Sequence, residues 1–304
     1  MALPKHASTL ERVWHYTYLV ICGLIFLFLI APILVVIPLS FNAEPYFTFT
    51  EGMLSLDPDA YSTRWYDLLL TFGTLSEGEG VRNAAWWRDV WNNAAWVNAA
   101  KNSVIIGFFS TLLATVLGTL AALGLSRPEM PFRRAIMAIL ISPMIVPIII
   151  TATGLFFFYS ATGLANSYLG IVMAHATLGI PFVIITVTAT LVGFDHSLTR
   201  AAASLGANPR TTFFKITMPL ILPGVISGAL FAFVTSFDEV VVVLFVAAHD
   251  QQTIPRQMWN GIREQISPAI LSVATILVII SILLLTTVEL LRRRSERLRG
   301  LSPG

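Results

Sequence analysis

The chain has 304 residues, of which 56% are apolar and only 12% are charged, and its mean hydropathy is +0.76. Soluble domains usually carry about a quarter of their residues as charged ones, so this composition excludes a disordered chain, a coiled coil and an ordinary cytosolic enzyme. A net charge of +2 provides no broad basic surface for nucleic acid, and the single cysteine, Cys22, excludes an internal disulfide and a cysteine-rich metal site. The composition predicts a protein surrounded by lipid.

Long gaps between charged residues locate the predicted membrane spans. A bilayer core about 30 Å thick needs about 20 apolar residues in a helix, because backbone polar groups must be satisfied within the segment. The gap from Arg134 to Asp195 is too long for one span, and the turn-forming residues 160–167 divide it. We therefore predict one all-α transmembrane domain, residues 1–304, with six spans at approximately 17–41, 102–126, 135–159, 168–194, 220–248 and 266–290.

The first apolar segment follows Lys5 and Arg12, as the apolar segment of a signal peptide would. It is longer than that of most signal peptides, and no cleavage site of the A-x-A kind follows it, so we expect an uncleaved anchor. Six spans place both termini on one side of the membrane. The links on that side carry 13 Lys and Arg residues against 6 on the other, which predicts that both termini are cytoplasmic.

The link between the first two spans, residues 42–101, is long and contains five of the seven tryptophans. Trp87 and Trp91 are four residues apart and would share one face of a helix. Tryptophan prefers the boundary between membrane and water, which favours an interfacial helix entering the second span. The alternative is a docking or gating surface on the outer face of the membrane. The sequence leaves both open.

Proline and histidine interrupt the apolar character of the third and fourth spans. Pro143, Pro147 and Pro181 are expected to break or kink their helices. His175 lies in the fourth span, where an ionisable side chain indicates either a proton relay or a hydrogen bond between helices. We expect the hydrogen bond, because this span contains no second ionisable residue.

The link from Asp195 to Pro219 has the local chemistry of two short helices that meet at a bend. Asp195 or Ser197 can cap the first helix, and Gly206 suits its left-handed C-terminal cap. Asn208 followed by proline is typical of the start of the second helix. An apolar stripe on the first helix, formed by Leu198, Ala201, Ala202 and Leu205, lies outside the membrane and needs a covering surface.

This link resembles the EAA signature of the permease subunits of binding-protein-dependent ABC importers. The resemblance lies in the pair Ala201-Ala202, in Gly206 four residues later, and in residues 216–219, Ile-Thr-Met-Pro. It implies the type I importer permease fold, with a cytoplasmic coupling helix between spans 4 and 5 that sits in a groove of an ATPase subunit. The residues to which it assigns this coupling are Arg200, Ala201, Ala202, Leu205, Gly206 and Pro219. Arg200 stands where the family usually has glutamate, so the polar contacts of that glutamate do not carry over.

Further segments are similar to the spermidine/putrescine branch of this family, on its PotC-like side, and occur in the same order over roughly residues 60–290. Ile148 departs from the pattern, because some members of the branch have a carboxylate there. The similar segments are Arg64-Trp65-Tyr66, Lys101-Asn102-Ser103, Pro143 with Pro147, Ala174-His175, Pro181-Phe182, Ser236-Phe237-Asp238-Glu239 and Thr253-Ile254-Pro255.

Asp238 and Glu239 have apolar runs on both sides, so a continuous fifth helix would place two carboxylates within the membrane. A carboxylate at the centre of a bilayer costs about 2.5–3.5 kcal/mol on insertion scales, so it normally faces a cavity or a partner. We predict a substrate path that includes Asp238, Glu239 and Phe237, whose ring attracts cations. The alternatives are a pair with a second subunit or a helix end near Asp238.

The sequence contains neither a Walker A pattern nor the H-E-x-x-H or G-x-S-x-G patterns, and we predict no catalytic residue, metal site or cofactor in this chain. The resemblance implies a permease subunit of the bacterial inner membrane that moves a small organic cation such as a polyamine. It also implies a second homologous permease, two ATPase subunits that bind ATP and Mg, and an external binding protein. The alternatives are a permease for another solute, an ion-coupled carrier that uses Asp238, Glu239 and His175, and a structural scaffold.

Overall fold

The computed structural model describes residues 8–76, 81–127, 129–195, 197–264 and 267–298. In these ranges the regular structure is helical, and β structure is limited to one isolated bridge. Short 3₁₀ segments and one π-helical segment accompany the α-helices. The α-helices are α1 (Thr9–Leu39), α2 (Glu51–Leu54), α3 (Arg64–Thr71), α4 (Ala84–Asn93), α5 (Ala95–Leu125), α6 (Arg133–Ile145), α7 (Ile148–Thr162), α8 (Tyr168–Val192), α9 (Ser197–Ser204), α10 (Pro209–Thr212), α11 (Met218–Phe237), α12 (Val241–Val246), α13 (Ile254–Glu264) and α14 (Ala269–Leu298).

Four helical segments of the described chain are long and apolar enough to cross a membrane: α1, α5, α8 and the run Pro209–Phe237. The pair α6 and α7 passes the same test together but is bent by 102°, which makes five spans if the pair is one. The sixth predicted span coincides with α14, where the apolar helix Ala269–Leu283 is shorter than a full span. The predicted all-α class with several apolar spans is confirmed.

Some helices begin well before the predicted spans, because a gap between charges marks only the apolar part of a helix. α1 starts at Thr9, where Ser8 and Glu11 form a capping box: the Glu11 carboxylate accepts the Ser8 backbone N–H at 2.7 Å, and the Ser8 hydroxyl accepts the Glu11 N–H at 3.3 Å. α5 starts at Ala95, seven residues before the predicted span. The polar first turn of α1 and the segment of α5 before residue 102, which contains Asn98 and Lys101, therefore precede the apolar cores of these helices.

The chain divides into two compact units, of which the first comprises Met1–Val81 and Gly261–Gly304 and the second Arg82–Asn260. In the first unit, α1 and α3 both pack on α14. In the second unit, α5, α8 and α11 pack on one another. The residues of the candidate sites described below lie in the second unit.

Hydrogen bonds order the chain just after α1 in the first unit. The indole N–H of Trp65 donates to the carbonyl of Asn42 at 2.8 Å, and the hydroxyls of Tyr66 and Ser40 are 2.7 Å apart. The hydroxyl of Ser272 donates to the carbonyl of Ser40 at 3.3 Å. The Arg64-Trp65-Tyr66 segment therefore secures the chain just after α1.

Small residues allow the three central helices of the second unit to approach closely. A Cβ atom at Gly118 would lie 2.6 Å from the Cβ atom of Val183, and one at Gly179 would lie 2.9 Å from that of Ala232. Helices in membranes associate through such close packing. Buried small residues recur at every fourth position, as Ser110, Ala114, Gly118 and Ala122 on α5 and as Gly224, Gly228, Ala232 and Ser236 on α11.

The turn predicted at residues 160–167 is confirmed between α7 and α8. Gly163 ends α7 with a φ of +75°, and Asn166 also has a positive φ, of +58°. The backbone N–H of Asn166 donates to the carbonyl of Val246 at 2.9 Å. This bond joins the turn to the end of α12, whose valines pack in one apolar cluster with α7 and α8.

The prolines of the third and fourth spans have different effects. Val146 and Pro147 have extended or near-extended backbone angles, and the helix stops there between α6 and α7. Pro143 lies within α6, and Pro181 lies within α8, which continues from Tyr168 to Val192. The expected break is therefore found at Pro147, whereas Pro181 is accommodated without ending its helix.

The tryptophan-bearing helix of the link over residues 42–101 is α4. Trp87 and Trp91 are exposed on it, as their spacing predicts, and Trp86 is buried. The ammonium of Lys101 lies 4.7 Å from the centre of the Trp91 ring and also donates to the Trp91 carbonyl. A cation of the same chain therefore already covers the Trp91 ring.

Candidate functional site

The predicted fifth span is interrupted in its C-terminal half. α11 ends at Phe237 and α12 starts at Val241, so residues 220–248 do not form one continuous helix. Asp238 and Glu239 both lie in the break. The alternatives to a substrate path were a pair with a second subunit and a helix end near Asp238, and the structure has this helix end.

The Glu239 carboxylate explains why the helix restarts. Its Oε1 atom accepts the backbone N–H of Val242 at 2.8 Å. The first N–H groups of a helix have no acceptor within the helix, and a carboxylate there satisfies one of them. The run Val240–Val243 consists of β-branched residues with low helix propensity, which weakens a continuous helix at the same place.

The two adjacent acids therefore have different surroundings. Glu239 is buried, with 7% of its surface exposed, and its carboxylate is bound to the backbone. Asp238 is exposed on this chain. The half-buried ring of Phe237 stacks on Phe233 at a centroid distance of 5.7 Å. Of the predicted substrate-path residues, Asp238 is the one that presents a carboxylate at the surface of the chain.

A buried polar cluster joins the three central helices at Ser236, two residues before Asp238. Nδ1 of His175 and the hydroxyl oxygen of Ser236 are 2.8 Å apart, and the hydroxyls of Ser236 and Ser110 are also 2.8 Å apart. All three residues are at most 4% exposed. The expected interhelical hydrogen bond of His175 is thus present. Serine is common in membrane spans, so the sequence alone does not identify Ser236 and Ser110 as members of this cluster.

A second polar cluster holds the link between α12 and α13 against α5. The side-chain amide of Asn102 donates to the carbonyls of Asp250 and Gln252, both at 2.9 Å. The hydroxyl of Ser103 accepts the backbone N–H of Ile254 at 2.8 Å. Asn102-Ser103 and Thr253-Ile254, about 150 residues apart in the chain, meet here.

Tyr168 and Arg256 extend this cluster. The hydroxyl of Tyr168 donates to Oδ1 of Asn102 at 2.8 Å, which connects α8 to α5. The guanidinium of Arg256 donates to the carbonyls of Val243 at 2.7 Å and Ala247 at 3.2 Å, and thereby satisfies the end of α12. Burial lowers the pKa of this guanidinium from its ordinary value. We did not predict these contacts, although an asparagine at the start of an apolar span was a visible signal.

The link from Asp195 to Pro219 has the helix ends that its sequence predicts. The N–H of Ala207 donates to the carbonyl of Ala202 at 3.0 Å, and the N–H of Gly206 donates to that of Ala203 at 3.0 Å. This pair of bonds is a Schellman motif, and Gly206 has the left-handed φ that the motif needs, +83°. Asp195 accepts the N–H of Ser197 at 2.8 Å at the other end of α9.

The second helix of the link starts at Pro209 and continues into the fifth span. The side chain of Asn208 caps it by accepting the N–H of Thr211 at 2.8 Å. α10 then passes through the π-helical segment Phe213–Thr217 into α11, where Pro219 is the second residue. Pro219 therefore lies at the start of the span and not on α9.

The apolar stripe of α9 is only partly covered by the chain itself. Ala202 is 6% exposed and packs toward the chain, whereas Leu198 is 42% and Leu205 is 88% exposed. Arg200 and Ala201 are exposed as well. Isolated exposed leucines are common, but Leu198 in the first turn of α9 and Leu205 in the turn that follows its last residue place two exposed leucines on one short capped segment.

Comparison with protein families identifies the chain. A model of the binding-protein-dependent transport system inner membrane component matches residues 114–299, which is more than half of the chain. The chain belongs to this family. It is a non-catalytic permease subunit of a binding-protein-dependent importer and a multi-pass inner-membrane protein.

The permease is similar to characterised members along most of its length. The spermidine/putrescine transport system permease protein PotC of Haemophilus influenzae is 29% identical over 272 residues, which cover 90% of this chain and 95% of that protein. The putrescine transport system permease protein PotI of Escherichia coli K12 is 30% identical over 266 residues, which cover 85% of this chain and 84% of that protein. The resemblance to the spermidine/putrescine branch is thereby confirmed.

A solved structure has the same fold. It is a chain of a bacterial ABC transporter involved in the import of the acidic polysaccharide alginate, and it superposes with a TM-score of 0.65 over 95% of the permease and 99% of that chain. The sequence identity is 16%, so this similarity establishes the fold alone. The permease has the fold of an ABC importer subunit.

Proposed function

We propose that the permease is a subunit of an ATP-driven importer that moves a small organic cation such as a polyamine. The relatives named for spermidine and putrescine transport support this substrate class, because they cover most of the chain. The partners in this proposal are a second homologous permease, two ATPase subunits that bind ATP and Mg, and an external binding protein. Both termini lie in the cytoplasm in this arrangement, as the distribution of Lys and Arg indicates.

The observation that carries the ATP-driven part of the proposal is the exposed apolar surface of α9. Leu198 of α9 and Leu205 in the turn that ends it are exposed, and Asp195 and Gly206 fix the two ends of this segment. A groove on an ATPase subunit would bury these leucines, with Arg200, Ala201 and Ala202 at the contact. ATP-driven closure of the ATPase subunits would then move α9, and through α10 and Pro219 it would move α11.

Asp238 is the residue that we propose to attract the cationic substrate. Its carboxylate is exposed at the end of α11, and the neighbouring Phe237 provides an aromatic face. Glu239 would contribute to the same path indirectly, because it holds the start of α12 beside Asp238. A movement of α11 that begins at α9 would reach Asp238 at its other end.

Uptake by the reconstituted complex tests this function. The permease, its partner permease and the ATPase subunits are placed in proteoliposomes with ATP inside, and the binding protein and labelled spermidine or putrescine are added outside. We expect uptake that requires both ATP and the binding protein. Uptake that continues without ATP but stops when the proton gradient is abolished would instead show an ion-coupled carrier. ATP-dependent uptake of another solute, with no uptake of either amine, would support the importer function and exclude a polyamine as its substrate.

A further inference from the structure

A small polar cavity lies where α5 and α8 end and α6 begins. Its volume is about 210 Å³. A water molecule occupies about 30 Å³ in the liquid, so the cavity has room for a tetrahedral anion and a few waters. Its lining residues are Ser126, Arg133, Thr188, Leu191, Val192 and Phe194.

Two donors of this cavity have no partner among the residues that the structure describes. The buried hydroxyl oxygen of Thr188 makes no hydrogen bond, and the guanidinium of Arg133 makes neither a hydrogen bond nor an ion pair. Two other threonines of α8, Thr186 and Thr190, donate to carbonyls one turn earlier, at 3.0 Å each. Thr188 is therefore a free donor on a helix where the same residue type is otherwise satisfied.

Arg133 is the first residue of α6, so the cavity lies at the N-terminal end of this helix. α6 has 13 residues, and its cap residue, Phe132, provides no side-chain hydrogen bond. The N–H of Ile136 donates to the carbonyl of Phe132 at 3.0 Å, so the N–H groups of residues 133–135 precede the first intrahelical bond. The N-terminal end of a helix carries partial positive charge and favours anions.

The charge around the cavity is positive. A larger depression of about 620 Å³ adjoins it at Arg133 and also contains Arg134. The acids of the two flanking links, Glu129 and Asp195, do not line either opening, and Asp195 is bonded to Ser197. The hydroxyl of Ser126 donates to the carbonyl of Leu123 at 2.9 Å, so the side-chain donors that remain free among the lining residues belong to Arg133 and Thr188.

We propose that this cavity binds a phosphate group. Arg133 supplies charge and a planar set of N–H donors, Thr188 supplies a hydroxyl donor, and the N-terminal end of α6 adds partial positive charge. The cavity lies at the ends of two membrane spans, where the headgroups of one leaflet are found. An anionic phospholipid of that leaflet and free inorganic phosphate are the two sources of this chemistry. The site goes beyond the proposed transport function and does not depend on the imported substrate.

The experiment measures binding to the intact, detergent-solubilised complex after removal of lipid. Native mass spectrometry follows phosphatidylglycerol, with the matching diacylglycerol as the phosphate-free probe, and calorimetry follows inorganic phosphate. The variants are Arg133→Gln, which removes the charge, and Thr188→Val, which removes the hydroxyl at nearly equal volume. Arg127→Gln is the matched control, because this exposed arginine lies in the same link and lines neither opening. Size-exclusion chromatography checks that each variant still assembles.

We expect phosphatidylglycerol to bind, diacylglycerol not to bind, and Arg133→Gln to weaken binding about tenfold. Thr188→Val should weaken it about threefold, and Arg127→Gln should leave it unchanged. Binding of phosphatidylglycerol alone would identify the lipid as the source, and binding of inorganic phosphate alone would identify the free anion. Diacylglycerol that binds as tightly as phosphatidylglycerol, or equal effects of Arg133→Gln and Arg127→Gln, would overturn the proposal.

Discussion

Asp238 and Glu239 are neighbours of the same charge, but their surroundings assign them different tasks. The Glu239 carboxylate is bound to the first turn of α12, whereas the Asp238 carboxylate is exposed at the end of α11. Charge at position 238 can therefore change without loss of a hydrogen bond within the chain. At position 239, the hydrogen-bonding capacity of the side chain matters more than its charge.

This difference predicts opposite results for matched substitutions. Asp238→Asn should slow amine uptake about tenfold, which corresponds to about 1.4 kcal/mol, while assembly and basal ATP hydrolysis survive. Glu239→Gln keeps an oxygen that can accept the Val242 N–H and should retain uptake, whereas Glu239→Ala should destabilise the permease by about 1 kcal/mol through loss of the cap. Uptake assays and thermal denaturation of the complex measure both effects. An uptake rate of the Asp238→Asn variant equal to that of the wild type would show that this carboxylate is not part of the substrate path.

Gly206 permits a similar test in the coupling loop. Its φ is +83° and a Cβ atom there would meet nothing within 4 Å, so a substitution adds backbone strain without a clash. A left-handed conformation costs about 1–2 kcal/mol for a residue with a side chain. We expect Gly206→Val to disturb the end of α9 and to weaken ATPase association and transport, while membrane insertion remains normal.

Gly193 provides the control for this substitution. It lies at the end of α8 in equally open space, but its φ is −91°, so Gly193→Val adds a side chain without left-handed strain. Stimulation of the ATPase by the loaded binding protein should fall in Gly206→Val and persist in Gly193→Val. Equal stimulation in both variants would exclude α9 from coupling.

At the scale of the helices, the packing of α5 on α8 depends on the absence of a side chain at Gly118. A methyl group there would lie 2.6 Å from the Cβ atom of Val183, whereas one at Gly124 on the same helix would meet nothing within 4 Å. Overpacking of this kind costs about 1–3 kcal/mol. Gly118→Ala should lower the thermal denaturation temperature of the purified permease, and Gly124→Ala should not. Equal denaturation temperatures for the two variants would contradict the close packing of α5 on α8.

The polar cluster around Asn102 predicts a larger effect than a single hydrogen bond. Asn102→Asp would keep the acceptor for Tyr168 but would place carboxylate oxygens against the carbonyls of Asp250 and Gln252. Buried acceptors that face one another cost more than the removal of one hydrogen bond, so we expect Asn102→Asp to lower the free energy of unfolding by more than about 2 kcal/mol. Tyr168→Phe, which removes one donor, should cost about 1 kcal/mol. Chemical denaturation measures both, and a larger loss in Tyr168→Phe would disprove this ranking.

Local chemistry explains which helix ends could be predicted. Gly206 and Asn208 act through their own backbone conformations and short-range hydrogen bonds, so a few neighbouring residues are sufficient to predict the bend. Glu239 also forms its hydrogen bond with a near neighbour, Val242, but the apolar residues on both sides of the two acids resemble the interior of a membrane span. The run of four valines after it was the available signal for the break.

The polar clusters show what a sequence without its fold cannot reveal. Asn102-Ser103 and Thr253-Ile254 belong to separate segments of the family resemblance. The contact between them depends on the path of every span that lies between them in the chain. The same is true of His175, whose partner Ser236 lies on another helix. Hydropathy predicts that a segment lies in the membrane, but the partner of a buried polar group follows from the packing of helices.

The orientation of the whole permease follows from the bias in basic residues, and it can be tested at two positions of high exposure. Val81 is 82% exposed in the external link, and Leu205 is 88% exposed in the coupling loop. After replacement of the single native cysteine by Cys22→Ser, we introduce Val81→Cys or Leu205→Cys into the permease produced without its ATPase subunits, so that no partner covers position 205, and add a membrane-impermeant maleimide to intact cells. The bias of 13 to 6 predicts that position 81 is labelled directly and that position 205 is labelled only after permeabilisation. Coupling to a cytoplasmic ATPase requires this result, because α9 must face the side where ATP is hydrolysed. Labelling of position 205 in intact cells would invert the topology and with it the proposed direction of coupling.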